Sequence, residues 1–178
     1  MRRQAKSAAK FVVCENSDPI SNETRQIEDR IRQRAFEISQ TSGHSEREMD
    51  DWLAAESEII SVPPAELIEK DETFVLQMAV GGIDPEELSV LTTADQILIK
   101  ADFRHDHDPD AGTIHFCDFK SSTVFRSIHF PEPIESDTVK LQLQDGVLRI
   151  TAQKETADGE SQPKRASPAA GRPKRKAS

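Results

Sequence analysis

The sequence contains few cysteines, few apolar residues and no long apolar run. Its two cysteines, Cys14 and Cys117, are too few for a disulfide framework and fit a reducing compartment. No run of about 18 apolar residues occurs, so no membrane-spanning helix is expected. The basic N-terminus is followed only by the short apolar cluster 11–14, so no secretory leader is expected. We therefore expect a cytoplasmic protein.

The low apolar content limits how much of the chain can fold. Of 178 residues, 35% are hydrophobic and 5% aromatic, and the mean hydropathy is −0.61. A compact core cannot use the whole of such a chain. The length fits one ordinary domain with appendages, so we expect a folded part flanked by solvated segments.

The net charge of −9 hides a segregation of the two signs. Residues 1–10 carry four basic residues and no acid, and residues 163–178 carry six basic residues and no acid. The segment between them holds 13 basic against 32 acidic residues, a charge of −19. The chain is therefore an acidic body with two basic tails. This pattern leaves three alternatives open, in which the tails bind the acidic body, bind nucleic acid or bind nothing.

Residues 1–62 divide into a predicted arm and a predicted helical module. Residues 1–20 predict a flexible basic arm, in which the cluster Phe11–Val13 is either disordered or a docking segment. Residues 21–62 predict a helical hairpin, with a first helix over 23–40 and a second that begins in a capping box at Ser45 and ends before a Pro-Pro pair. The apolar stripes have helical spacing: Ile27, Ile31, Ala35 and Ile38 on the first helix, and Met49, Trp52, Leu53, Glu56 and Ile59 or Ile60 on the second.

From Leu67 the apolar period changes from that of helices to that of strands. The pattern predicts a mainly β fold, an immunoglobulin-like antiparallel β-sandwich over residues 67–154 preceded by the helical hairpin. Residues 155–178 are rich in Ser, Pro, Lys and Arg and are predicted to be a disordered basic tail. The predicted strands cover residues 74–80, 88–92, 97–101, 113–119, 124–130, 139–143 and 147–151.

Five segments of residues 67–154 follow one another in an order and spacing typical of one family. Phe125–Glu132 is similar to its F-x-R-x-x-x-L-P segment, and Asp145–Thr151 resembles its G-V-L-x-I motif. The others resemble its opening strand, its small-residue turn and its next hairpin strand: Glu69–Leu76, Val80–Val90 and Ile97–Ala101. The chain therefore resembles a bacterial small heat-shock protein with an alpha-crystallin domain. The family motif residues are Phe125, Arg126, Pro131, Gly146, Val147, Leu148 and Ile150.

The Asp145–Thr151 motif also has a physical interpretation of its own. Asp145-Gly146 is a two-residue hairpin signal, in which Gly146 supplies the positive φ of a type I′ turn. Val147, Leu148 and Ile150 are expected to pack in a β-bridge and in the core. Residues 23–60 resemble a second, small bacterial module of unknown function, which implies a helical hairpin and no particular chemistry.

The resemblance implies a dimer formed by an exchanged strand. That strand corresponds to residues 113–119, with Ile114, Phe116 and Phe119 as the dimer contacts. The strand is apolar on both faces yet follows a polar loop, which favours pairing with another chain. An ordinary intramolecular strand is the alternative.

The resemblance also implies an apolar groove that takes a neighbour's C-terminal I-x-I motif. No such motif follows Lys154, so we expect dimers or small assemblies and an open groove. The groove would bind client proteins, and its residues would be Leu88, Val90, Val139, Leu141 and Leu143.

Catalytic and metal-binding patterns are weak in this sequence. No nucleophile elbow, phosphate loop or H-E-x-x-H motif is present, so we expect no enzyme and no cofactor. His105–Asp108 contains metal-ligand residue types, with His115 and Cys117 next nearest, but a solvated polar loop without metal is favoured. The tail resembles half of an AT-hook, so weak nucleic-acid contact and a solubilising tail both stay open. The tail residues concerned are Arg172, Lys174, Arg175 and Lys176.

Two classes of function follow. The resemblance implies an ATP-independent holdase chaperone, which covers the exposed apolar surface of unfolding proteins and forms a homodimer or small oligomer. Its client surface would comprise the groove, Phe11–Val13 and the helical face of Ile27, Ile31 and Trp52. The alternative is a dimeric adaptor whose helical module and basic tail bind a partner protein or nucleic acid.

Overall fold

A computed structural model describes residues 9–42, 47–108, 110 and 112–156. Residues 157–178 of the predicted tail, including Arg172, Lys174, Arg175 and Lys176, and residues 1–8 of the predicted arm lie outside these residues. The elements in chain order are β1 (Lys10–Val13), α1 (Asp18–Ser42), α2 (Glu48–Ile59), β2 (Ile60–Ser61), β3 (Ala65–Lys70), β4 (Thr73–Ala79), a 3₁₀ turn (Pro85–Glu87), β5 (Leu88–Thr92), β6 (Gln96–Phe103), β7 (Ser122–His129), β8 (Ile134–Gln144) and β9 (Val147–Lys154).

The strands form two sheets, which confirms the predicted β-sandwich. One sheet has the order β1-β5-β6-β7-β2, and the other has the order β3-β4-β9-β8. The central pairings are antiparallel, whereas β1 pairs with β5 and β2 pairs with β7 in parallel. The sequence predicted neither parallel edge strand, because four-residue and two-residue strands carry almost no periodicity.

Alternating side chains from both sheets form the core. Phe74, Leu76 and Met78 of β4 are each 1% exposed, and they share a cluster with Ile97 and Ile99 of β6. Each fully buried side chain of this size contributes about 1.5–3 kcal/mol relative to an exposed one. The period-two pattern of the sequence therefore identified the correct face of these strands.

The β8–β9 turn forms as predicted. Asp145 and Gly146 both have positive φ, at 52° and 76°, as a type I′ turn requires. The Gly146 carbonyl accepts a 2.7 Å hydrogen bond from the Val80 amide, which ties the turn to the end of β4. A β-carbon on Gly146 would lie 3.1 Å from the Cα of Gly81, so the turn needs glycine for both space and conformation.

The helical hairpin also forms, with a different apolar stripe on its second helix. Ile27 and Ile31 of α1 pack with Ala55 of α2, and Ala35, Ile38, Trp52 and Ile59 complete the cluster. Met49 and Leu53, which the sequence placed on the packed face, are instead 69% and 55% exposed. The small Ala55 at 0% exposure allows the two helices to approach, and it rather than Glu56 marks the contact face.

Both helices begin at residues that differ from the prediction. The first starts at Asp18 and not near residue 23, because Pro19 fits the first turn, where a backbone N–H has no helical partner. The Asn16 side chain accepts a hydrogen bond from the Asp18 amide there. The second starts at Glu48 with Arg47 at the N-cap and no side-chain cap bond. Ser45 of the predicted capping box lies outside the described residues.

The hairpin lies on the outer face of the β5–β6–β7 region. Glu23 of α1 pairs with Lys100 of β6 at 2.8 Å, and Arg30 donates to the Thr123 hydroxyl of β7 at 3.1 Å. Phe125 of β7 packs against the helical cluster and not in the sandwich core. Neither α1 nor α2 is both long and apolar enough to cross a membrane.

Candidate functional site

The strand β1 covers an edge of the sandwich that would otherwise be free. Phe11 is in register with Val90 of β5, and the Cys14 amide continues the ladder with a 2.7 Å bond to the Thr92 carbonyl. Unpaired edge groups invite pairing with any extended chain, and β1 satisfies those of β5. The predicted flexible arm is therefore an ordered strand over Lys10–Val13.

Covering this edge changes the predicted groove. Leu88 and Val90 are 1% and 0% exposed, so neither offers surface to a ligand in this state. Phe11 packs against the same core cluster as Val139, Leu141 and Leu143, which are partly buried. The structure thus brings the five predicted groove residues together, but the groove is not open as expected. The sequence signal for β1 was the isolated apolar cluster Phe11–Val13.

The predicted dimer strand has no strand conformation in the single chain. Residues 113–119 form no ladder with β6 or β7, which excludes the ordinary intramolecular strand. The side chains of Ile114, Phe116 and Phe119 are 47%, 81% and 65% exposed. Three large apolar side chains on one short segment are an unusual surface for an isolated monomer and typical of an interaction site.

A second group of exposed apolar side chains lies on the helical hairpin. Phe36 of α1 is 64% exposed, and Met49 and Leu53 of α2 are 69% and 55% exposed. The face predicted to bind clients is different, since Ile27 and Ile31 are 5% exposed inside the hairpin. The large apolar side chains that the hairpin exposes to solvent are therefore Phe36, Met49 and Leu53.

The family motif residues serve several structural roles. Arg126 donates a 2.7 Å hydrogen bond to the Pro63 carbonyl, which joins β7 to the chain before β3. Leu148 and Ile150 are buried at 1% exposure, as predicted, whereas Val147 is 39% exposed and only borders the core. Pro131 is exposed in the turn after β7.

Ion pairs connect neighbouring elements and shift several pKa values. The Arg34 Nε atom of α1 donates a 2.6 Å hydrogen bond to the Glu58 carboxylate of α2, and this bond lowers the pKa of Glu58. The hydrogen bond to Glu69 raises the pKa of Lys154, whose ammonium group also lies near Glu132. Burial raises the pKa of the Cys14 thiol, partly opposed by the backbone hydrogen bond at Thr92. The Arg34–Glu58 and Lys154–Glu69 ion pairs thus connect neighbouring elements of the fold.

Comparisons with known proteins identify both parts of the chain. The model of the Hsp20/alpha crystallin family matches residues 66–167, and the model of a protein family of unknown function, DUF2934, matches residues 26–60. Spore protein SP21 of Stigmatella aurantiaca is 25% identical over 104 residues, which are 58% of this chain and 60% of that protein.

The fold of one solved small heat-shock protein is also similar. Heat shock protein 16.0 from Schizosaccharomyces pombe superposes with a TM-score of 0.50 and 18% identity, over 62% of this chain and 99% of the other. Its match shows the shared sandwich. The family model covers more than half of the chain, on the same strands that form that sandwich. This chain is therefore a member of the Hsp20/alpha crystallin family, with a DUF2934 helical module in front of its sandwich.

Proposed function

We propose that this protein is an ATP-independent holdase, which binds unfolding proteins through exposed apolar side chains and keeps them from aggregating. The observation that carries the proposal is the exposure of Ile114, Phe116 and Phe119 on one segment of a family member. Burial of apolar area drives such binding in proportion to area and needs no nucleotide and no reactive side chain.

The sandwich and the acidic surface support this function in different ways. The sandwich presents the exposed segment from a rigid base between β6 and β7. The body of the chain between the basic ends carries a charge of −19, which keeps a chaperone loaded with apolar clients in solution. Client proteins themselves are recognised by their exposed apolar side chains and not by sequence.

We also propose that residues 113–119 pair with a second copy of this chain, so that the segment contacts a partner subunit in the assembly and is exposed to clients when subunits separate. The edge strand β3, residues Ala65–Lys70, is regular along its pairing with β4, and its outer edge is free in the described residues. The opposite edge strand, β8, has a register shift between Glu135 and Lys140 and is a poorer template. An incoming strand would therefore add to β3.

Light scattering of a heated, aggregation-prone enzyme tests the holdase. We expect suppression without ATP near an equimolar subunit ratio, and the same suppression by a chain that ends at residue 156. Phe116→Ser should weaken suppression, because it removes a side chain that is 81% exposed. His115→Ser, at an exposed neighbour in the same segment, is the matched control.

The outcomes separate the hypotheses. No suppression at several-fold excess over the client would overturn the holdase function. Equal suppression by the Phe116→Ser and His115→Ser proteins would overturn residues 113–119 as the client surface. If only the full-length chain binds a partner protein or nucleic acid, and added salt weakens that binding steeply, the adaptor hypothesis would replace the holdase.

A further inference from the structure

The connection between β6 and β7 closes on itself at its base. The His105 amide donates a 3.0 Å hydrogen bond to the Ser121 hydroxyl oxygen, 16 residues further along the chain. Closer to the sandwich, where β6 ends and β7 begins, the Thr123 hydroxyl donates a 2.8 Å hydrogen bond to the Asp102 carboxylate. These bonds hold the two arms of the connection side by side, so residues near its start meet residues near its end.

Three metal-ligand side chains meet between these arms. The ligand atoms of His105, His107 and Cys117 all lie within 4.8 Å of one another. The His105 Nε2 atom is 3.4 Å from the Cys117 Sγ atom. Two ligands at a tetrahedral zinc ion, with bonds of about 2.05 Å to nitrogen and 2.3 Å to sulfur, are separated by about 3.6 Å. The observed separation therefore suits a shared ion with little movement.

Aromatic contacts orient the two imidazoles. The His105 ring stacks on Phe119 with centroids 4.7 Å apart and an angle of 26° between the planes. The His107 ring meets the His105 ring edge-on at 4.9 Å. A ring held by packing loses less freedom when it binds a metal, which favours a defined site over a floppy loop.

We propose that His105, His107 and Cys117 form a binding site for a thiophilic divalent metal ion, Zn²⁺. Two imidazoles and one thiolate are a zinc donor set, and they disfavour Mg²⁺ and Ca²⁺, which prefer oxygen ligands. The fourth position is open to water or to the carboxylate of Asp118, which lines the same pocket. The sequence favoured a solvated loop because it could not show that Cys117 reaches His105. This site does not rest on the holdase proposal, although Cys117 lies in the segment 113–119 that carries the proposed client and dimer contacts.

Metal binding would cross-link the two arms of the connection. His105 and His107 lie on the first arm, and Cys117 lies on the second, next to Phe116 and Phe119. One ion would therefore fix the part of the chain that carries the exposed apolar side chains, while the sandwich below it stays unchanged.

Zn²⁺ and Co²⁺ titrations of the full-length, reduced and chelator-treated protein test the site. We expect one equivalent of Zn²⁺ per chain by calorimetry, and a thiolate-to-Co²⁺ charge-transfer band. Cys117→Ser should remove the band, and His105→Ala or His107→Ala should weaken binding by about tenfold or more. Cys14→Ser and His115→Ala keep the three ligands and should bind like the parent protein. Far-ultraviolet circular dichroism checks that every variant is folded.

Alkylation gives a second measurement that does not depend on affinity. Bound Zn²⁺ should slow the reaction of Cys117 with iodoacetamide and leave the rate at Cys14 unchanged, whereas Mg²⁺ should protect neither thiol. Less than stoichiometric zinc binding would overturn the site, as would parent-like binding by the folded Cys117→Ser protein. Equal weakening by His115→Ala and His107→Ala would overturn the ligand assignment.

Discussion

Gly146 is the residue at which a single carbon atom should matter most. It combines a φ of 76° with a Cβ position 3.1 Å from the backbone of Gly81. We expect Gly146→Ala to lower the free energy of unfolding by about 1–3 kcal/mol, the usual cost of a residue held in such a strained conformation. Urea denaturation followed by circular dichroism measures this change.

Gly81→Ala is the matched control for this experiment. A β-carbon on Gly81 would meet no atom within 4 Å, so we expect a change of less than about 0.5 kcal/mol. Equal losses in the two variants would show that the contact at the β8–β9 turn is not the cause.

The two cysteines should differ strongly in reactivity. Cys14 is buried beside β1, whereas Cys117 is exposed. The raised pKa of Cys14 keeps its thiol protonated and unreactive at neutral pH. We expect iodoacetamide to label Cys14 more slowly than Cys117 by about tenfold or more in metal-free protein, as read by mass spectrometry of peptides.

The sign of the pH effect follows from the same shift. A folded-state pKa above the unfolded value stabilises the fold below the unfolded pKa, and this contribution disappears as the pH rises through the folded pKa. Labelling of Cys14 should therefore accelerate at alkaline pH by more than thiolate formation alone explains. Similar rates at the two cysteines at neutral pH would contradict the burial of Cys14 at the end of β1.

Residue-level prediction succeeded where periodicity has a single interpretation. The inward positions of β4 and β9 were correct because alternation leaves one apolar face. It failed at Met49 and Leu53, since a short helix with apolar residues on two sides can pack on either. Only the contact with Ala55 decides which side is buried, and that contact depends on the partner helix.

At the scale of elements, β1 pairs with the edge strand β5, and Phe11 packs against the core cluster that includes the predicted groove residues. We expect Phe11→Asp to release β1, because its apolar contact with the core is lost and a carboxylate there is costly to bury. Hydrogen exchange of residues 88–92 should accelerate, and capture of a heated client should increase. Hydrogen–deuterium exchange with mass spectrometry and the light-scattering assay measure the two effects.

Val13→Asp makes the same chemical change two residues further along β1. Its side chain is already 42% exposed, so we expect a clearly smaller effect on both measurements. If Phe11→Asp leaves exchange in β5 unchanged, β1 does not protect that strand. If exchange rises without added client capture, the groove is not a client surface.

The short parallel strands show why the sequence could not predict every element. Prolines at 63 and 64 predicted that α2 ends before them, but the helix already ends at Ile59. The pairing of Ile60–Ser61 with β7 depends on where the helical hairpin lies on the sheet. Residues 113–119 show the converse. Their alternation is typical of a strand, yet they pair with no strand edge in the described part of the chain.

At the scale of the whole molecule, residues 113–119 should determine the oligomeric state. Phe116→Pro removes a backbone N–H and fixes φ, so a strand at this position could no longer complete its ladder. We expect the mass by light scattering after size exclusion to fall from a dimer or small oligomer to a monomer. Asp110→Pro, in the same connection but before the proposed strand, should keep the parent mass.

A parent-like mass for the Phe116→Pro protein would exclude this strand from the dimer contact. A monomeric parent protein would exclude self-association through it altogether. The sandwich itself could be predicted from the sequence, because strands recurring without long intervening helices allow few other arrangements. The resemblance also pointed to Ile114, Phe116 and Phe119, whereas the exposed face of the hairpin could not be predicted, because it depends on which side chains remain exposed after the elements have packed.

The strand β1 is joined through a short segment to the same sheet whose edge strand, β5, it covers. Only residues 14–17 separate it from α1, and α1 is fixed to the sheet through Glu23 and Arg30. A strand on so short a tether has an effective concentration in the millimolar range or above, so a micromolar competitor must bind β5 about a thousandfold more tightly to displace it. We therefore expect β1 to exclude free extended chains from the β5 edge, and a longer segment between β1 and α1 to weaken that exclusion.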